Sequence, residues 1–368
     1  MNNLEKSLFA LIRLSIDNPL ETDRSLSLTE KEWREMLGLA NKHSLIGVTY
    51  KGIQKLDDAQ KPPRDVFFDW FDLSTQILQQ SKKQFMSCAS ISSNMKRVGM
   101  QTCILKGQGN ALMYPDPYMR TPGDIDIWLR DTPVNIIKFV RKASPKAKID
   151  YHHIEFTNSA GIDIEAHFFP SYMNDPVADK RLQEFFREVA DRQFANFVEA
   201  PEGIGTFCRP TKMFNLVFQL THLYRHIFHE GIGIRQMLDY YYLLKQGLTS
   251  EEKEEFVAKV KYLRMHRFLK AVMAILQRIF ALPDDQLIVE PDFSEGDFLI
   301  EEMLIGGTFG SFDTRFGKSP SNSHLKHNIV KSVRVCRFLT HYPAEVIFEP
   351  YFRMKNFLTR RKYERELL

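Results

Sequence analysis

The residues best placed to do chemistry are Asp124 and Asp126, in the run Gly123-Asp124-Ile125-Asp126-Ile127-Trp128-Leu129. Polar and apolar residues alternate there, which predicts a β-strand with residues i and i+2 on one face. Two carboxylates a few ångströms apart on one face repel each other, and a hard divalent cation bound by both relieves the repulsion. Ile125 and Ile127 point the opposite way and anchor the strand in a core. A second alternating run, Gly161-Ile162-Asp163-Ile164-Glu165-Ala166-His167, puts Asp163, Glu165 and His167 on one face. If the two strands are neighbours, a third carboxylate, Glu165 or Asp163, joins the pair. Three carboxylates on adjacent strands can hold two Mg²⁺ ions, with Mn²⁺ as a substitute. That arrangement suits in-line phosphoryl or nucleotidyl transfer.

The elements that must position these side chains can be read from the pattern around them. Gln101–Leu105 is short, apolar and β-prone, and it ends in Lys106-Gly107. A strand passing into a helix at that point would present backbone N–H groups to an anion. Gly107 and Gly109 would let the backbone approach a triphosphate closely. Arg120, four residues before Asp124, could pair with phosphate oxygens. The segment from Tyr114 to Gly123 is rich in turns, and Pro133 opens a helix that runs to about Lys142. Strands near 151–156 and 162–168 flank Asn158-Ser159-Ala160-Gly161, a hairpin turn. The result is an α+β chain with a small mixed sheet and helices packed on it.

Helical periodicity dominates on both sides of this core. Thr29 and Glu32 form a capping box ahead of Trp33, Met36, Leu37 and Ala40. A long helix is expected from about Arg64 to Lys96. Met213, Phe214, Val217, Leu220 and Leu223 mark another, and 234–244 a further one. Two more helices, separated at Pro343, are expected in the tail. The chain therefore divides into a helical N-terminal unit (1–96), an α/β core (97–205) and a helical C-terminal unit (206–368).

The run Gly107…Arg120-x-x-Gly123-Asp124-x-Asp126, followed by apolar-Glu165-apolar, resembles the DNA polymerase β-type nucleotidyltransferase superfamily. Within it, the chain is similar to the bacterial family of uncharacterised nucleotidyltransferases with an LKG…R…DID core. The similarity continues through Ile164-Glu165-Ala166-His167 and through His222…Gly231-Ile232-Gly233-Ile234-Arg235-Gln236-Met237-Leu238-Asp239. The resemblance implies a Mg²⁺-dependent transfer of NMP from an NTP such as ATP to an acceptor, which could be a small molecule, a protein or RNA. It implies Asp124 and Asp126 as shared metal ligands, and Glu165 as the third acid. It places Lys106, Gly107, Gln108 and Arg120 on the nucleotide. His167, His222, Arg235 and Asp239 would lie on the acceptor or nucleotide side. The sequence departs from the superfamily at Gln108, where Gly or Ser usually follows the first Gly, and at Gly123, where many members have Ser.

Each of these residues also has a plainer reading. His152 and His153, at a strand start, read as surface residues. His167 could be a hydrogen-bonded structural imidazole. His222, His226 and His229 share a helix face, but no Glu follows His222, so the zinc-protease pattern fails. Arg235 and Asp239, at i and i+4, could be a helix-surface ion pair. Gly107-x-Gly109-x-x-Leu112 lacks the third Gly of a dinucleotide fingerprint.

Composition excludes other classes. The chain has 368 residues, 43% hydrophobic and 26% charged, which is ordinary for a globular protein. No apolar run approaches a membrane span. The scattered cysteines Cys88, Cys103, Cys208 and Cys336 form no zinc or disulfide motif, which fits a reducing, cytoplasmic setting. The net charge of +4 hides an asymmetry: from Arg315 onward there are 12 basic and 4 acidic side chains, a balance of +8, which leaves −4 for the rest. Lys331, Arg334 and Arg337 lie at i, i+3, i+6, and Arg360-Arg361-Lys362 is a short run. The tail motivates a second reading, a toxin-like transferase directed at RNA. The departure at Gln108 motivates a third, a non-catalytic nucleotide-binding or scaffold protein of the same fold.

Overall fold

The computed structural model describes residues 1–313, 315 and 332–367. It resolves into two compact units, each assembled from separated segments: 1–81 with 113–121 and 226–335, and 82–112 with 122–225 and 336–368. The three consecutive segments expected from the sequence are thus distributed over two units. The divisions at 81/82 and 225/226 fall inside the helices Arg64–Arg97 and Lys212–His229.

The first unit is helical. Its helix Glu30–Lys42 starts at the expected capping box, where Thr29 Oγ1 accepts from the Glu32 amide and Glu32 returns a carboxylate to the Thr29 amide. Trp33 and Met36 point inward, and Trp33 meets Trp70 edge-on at 5.9 Å. Helices Asn3–Ser15 and Ile46–Gln54 cross so closely that a Cβ on Gly52 would collide with the backbone of Leu11. The buried Arg13 guanidinium is satisfied by both Asp23 carboxylate oxygens at 2.6 Å and by the Ile279 carbonyl at 3.1 Å. Helix Ile234–Leu244 runs over the residues read from the sequence.

The second unit carries the sheet: β1 (Thr102–Ile104), β2 (Ile125–Leu129), β3 (Lys148–Ile149), β4 (His153–Thr157) and β5 (Asp163–His167). The spatial order is β1-β2-β5-β4-β3, with β2 antiparallel to β1 and parallel to β5. A parallel pair needs a crossover, and the helix Pro133–Ala143 begins it. Thr132 caps that helix, and Pro133 fills its first turn. The β4–β5 hairpin turns through Asn158, whose side chain accepts from the Ala160 and Ile162 amides, and Gly161 at φ +75. Every residue of β2 is buried, so both faces of the strand are covered. The mixed α+β architecture matches the expected fold class. Two short strands, β6 (Phe197–Glu199) and β7 (Thr206–Cys208), pair separately.

Neither β3, β6 nor β7 was anticipated, because two or three residues carry too little alternation to register. Helix Pro176–Phe194, which the sequence reading does not include, is signalled by Asp175-Pro176 and by the spacing of Leu182, Phe185 and Phe186.

The last helix of the described tail packs on the second unit. Helix Pro343–Glu366 places Phe352 against Tyr151 and Tyr172, at centroid distances of 5.1 and 4.4 Å. Glu345 accepts the Asn174 amide at 2.9 Å, and burial pushes its carboxyl up to about 7. Lys355 reaches Asp179 at 3.0 Å, Arg353 pairs with Glu349, and Arg315 pairs with Glu302 and Asp313. These three of the tail's twelve basic side chains are thus matched by fixed carboxylates. Lys318, Lys326 and Lys331 lie outside the described residues. Among the described residues, no helix is long and apolar enough to cross a membrane.

Candidate active site

The site grows from the β2–β5 pair. Their parallel register sets Asp126 beside Glu165 and Trp128 beside His167. Because the side-chain period is two, Asp126 and Glu165 share a face, and His167 follows one pleat later. On β4 the register sets His153 beside His167. Asp124 lies just before β2, at the end of a turn whose Gly123 carbonyl accepts from the buried Gln84 amide.

The polar contacts converge on Asp126, which is 2% exposed. The Lys106 ammonium donates to Asp126 Oδ1 at 2.8 Å, and His167 Nε2 donates to the same oxygen at 3.0 Å. His167 Nε2 also lies 3.3 Å from Glu165 Oε2, and His153 Nδ1 lies 3.6 Å from that oxygen. Lys106 Nζ sits 3.4 Å from His222 Nε2. Asp163 shares the Glu165 face but turns outward, accepting from Thr157 Oγ1 at 2.7 Å on the exposed end of the hairpin. Glu165 therefore stands beside the buried carboxylate and Asp163 does not.

The electrostatics of the two aspartates diverge. Burial and the neighbouring Asp126 push the Asp124 carboxyl up to about 7, against the pull of Lys106. Burial also acts to raise Asp126, but Lys106 and His167 outweigh it and hold that carboxyl well below its ordinary range. Burial works against charge on His167, yet Asp126 and Glu165 keep its imidazole above the ordinary value. Glu165 is held low against burial by its hydrogen bond from His167.

A pH prediction follows for the metal-free protein. A carboxyl whose folded pKa is raised costs stability as pH climbs from its unfolded value of 3.8 to about 7. Asp124→Asn is expected to stabilise the metal-free protein by about 2 kcal/mol at pH 8, with no gain at pH 3.5. Urea unfolding at the two pH values measures it, and an equal gain at both would contradict the assignment.

The turn after β1 differs from the expected phosphate cradle. Gly107 adopts φ +56, which justifies glycine, but the helix it opens, Gln108–Ala111, is a single turn. One turn offers little aligned dipole. Gly109 is glycine because a Cβ would lie 3.1 Å from the Ile104 carbonyl oxygen, so its close approach is to the protein's own strand. Gln108 is buried.

Arg120, Arg235 and Asp239 belong to the helical unit. Arg120 makes a two-pronged pair with Asp239 at 2.8 and 2.7 Å, and Tyr114 donates to the same carboxylate at 2.7 Å. Arg235 donates to the Thr121 carbonyl at 2.5 Å. Both Arg235 and Asp239 are buried, which corrects the helix-surface reading.

The reading of His152 and His153 as surface residues is also corrected. They are 1% and 9% exposed, and the His152 ring lies 4.6 Å from that of His153 and 4.9 Å from that of His167. Arg225 Nη1 donates to His152 Nε2 at 3.1 Å and stacks over Tyr172. Sequence reasoning did not reach Arg225. For the histidines the available signal was the hairpin: pairing 153 with 167 around Asn158–Gly161 sets His153 beside His167, one pleat from Glu165.

Among the described residues, two sets of three groups have ligand atoms all within 4.8 Å of one another: Asp126, Glu165 and His167, and His152, His153 and His167. The first, with two carboxylates and with Asp124 two residues before Asp126, has the charge to attract a divalent cation.

A family model described as "uncharacterised nucleotidyltransferase" matches residues 29–281, about two-thirds of the chain and the whole of this site. The chain belongs to that family. The general function that the family's description carries is nucleotidyl transfer. Among solved structures, the crystal structure of an antigenic nucleotidyltransferase-like protein from Paracoccidioides brasiliensis is similar at 13% identity, covering 51% of this chain and 90% of that one with a TM-score of 0.32. No match to a curated protein was found.

Proposed function

We propose that this nucleotidyltransferase family member moves NMP from an NTP to an acceptor hydroxyl, releasing pyrophosphate, with divalent ions held by Asp124, Asp126 and Glu165. The observation that carries the proposal is the side-by-side register of Asp126 and Glu165, with Asp124 immediately before β2. The donor set fits a hard divalent ion. Asp124 is driven towards its neutral form when no cation is present to offset Asp126, and a bound cation would remove that penalty. When bound, such ions offset triphosphate charge and ease ionisation of an acceptor hydroxyl.

The chain's own residues supply the rest. Lys106 and His167 keep Asp126 ionised in its buried position, so the carboxylate is ready to act as a ligand at neutral pH. Glu165, also held low, is the candidate to accept the acceptor's proton. Lys106, two residues beyond β1 and just before the Gly107 turn, is the candidate to meet the triphosphate. The acceptor class stays open among small molecules, proteins and RNA.

Isothermal titration of ATP, CTP, GTP and UTP with Mg²⁺ or Mn²⁺ tests the proposal. Binding of at least one NTP is expected, and its loss in Asp124→Asn/Asp126→Asn. Equal binding to both proteins, or to neither, would overturn it.

A further inference from the structure

We infer that His167 is itself a metal ligand through Nε2, which releases its proton and gives up its hydrogen bonds to Asp126 and Glu165 when the ion binds, so that the three residues form a mixed carboxylate–imidazole site that prefers Mn²⁺ to Mg²⁺. The inference rests on the proposed function and adds to it the identity of the ion and one nitrogen ligand.

The geometry argues for it first. His167 Nε2 lies 3.0 Å from Asp126 Oδ1 and 3.3 Å from Glu165 Oε2. Ligands about 2.1 Å from a shared ion are about 3.0 Å apart in octahedral geometry and about 3.4 Å apart in tetrahedral geometry. Both observed separations fall within that range. The three donors come from adjacent positions of two paired strands, so the sheet itself holds them.

A second observation comes from β4. His153 is 9% exposed, and its Nδ1 makes no hydrogen bond while facing Glu165 Oε2 at 3.6 Å. A buried polar atom left unpaired beside a carboxylate indicates a missing bonding partner. The site thus turns two imidazoles, not one, towards the carboxylates.

Donor chemistry then separates Mn²⁺ from Mg²⁺. Mg²⁺ favours all-oxygen sets, whereas imidazole suits first-row transition ions, and Mn²⁺ accepts both donor types. The alternative trio of His152, His153 and His167 is less suited. It contributes no negative charge, and Arg225 already donates to His152 Nε2.

Pulsed electron paramagnetic resonance on the Mn²⁺-loaded full-length protein tests the inference. Echo modulation from a directly bound ¹⁴N is expected, and it should change to the ¹⁵N pattern when the protein is grown with ¹⁵N-histidine. The labelled wild-type protein needs no folded variant. His167→Gln is expected to lose the modulation and to weaken Mn²⁺ binding about 10-fold or more, with a smaller change for Mg²⁺. Mn²⁺ that binds, is lost in Asp126→Asn, and shows no nitrogen coupling would overturn the inference while leaving the proposed function standing. Absence of Mn²⁺ and Mg²⁺ binding in the presence of every NTP would overturn both.

Discussion

Asp126→Asn is expected to reduce nucleotidyl transfer by about 1,000-fold or more, equivalent to ~4 kcal/mol of transition-state stabilisation. Labelled NMP transfer from each of the four NTPs into products of a cell extract measures it. Absence of transfer by the wild-type protein as well, with intact NTP binding, would favour the non-catalytic reading. The same substitution has a structural consequence. It removes the carboxylate that both Lys106 and His167 contact, leaving two donors without their shared partner in a buried site. A loss of about 3 kcal/mol at pH 7 is expected. Because the folded pKa of Asp126 is depressed, its stabilisation is present above 3.8 and is lost as pH falls below that value. The gap between wild type and Asp126→Asn in urea unfolding should therefore persist from pH 7 to about pH 4 and narrow in stronger acid. Asp124→Asn is expected to act in the opposite direction at high pH. Two aspartates separated by a single residue would then differ in the sign of their effect on stability.

Arg120→Ala is expected to destabilise the protein by about 4 kcal/mol, measured by urea unfolding. Arg120 and Asp239 are 4% and 3% exposed, and the pair is bidentate. Burial acts to raise the Asp239 carboxyl, but Arg120 outweighs it and holds the group below its ordinary value. Removing the guanidinium leaves a buried carboxylate with reduced compensation. Arg120→Met/Asp239→Leu, which removes both charges and retains volume, is expected to recover most of the loss. A stable Arg120→Ala that loses only NTP affinity would instead support the phosphate contact first read from the sequence.

Much of the α/β core was legible before the structure. Alternation located β2 and β5, the Asn158–Gly161 turn located the hairpin, and Thr29 with Glu32 located a helix start. These signals are local, since each depends on side chains two to four residues apart. The prediction that Asp124 and Asp126 share a face follows from strand geometry alone.

The sequence could not decide which residues meet across strands. Asp163 and Glu165 are equivalent by alternation. Only the β2–β5 register sets Glu165 beside Asp126 and leaves Asp163 on the hairpin's exposed end. The same holds for His152 and His153. Their burial depends on β4 lying against β5 and on Arg225 arriving from a helix more than 70 residues away in sequence. Arg120 was assigned to phosphate because it lies four residues before Asp124, whereas its strongest partner, Asp239, is 119 residues downstream. The basic tail was conspicuous as net charge, but charge counts carry no information about pairing. Folding matched Arg315, Arg353 and Lys355 with Glu302, Glu349 and Asp179. Periodicity along the chain determined the chemical groups and the faces that carry them. Long-range register and burial, which no local pattern encodes, decided which groups face one another and which of their charges are compensated.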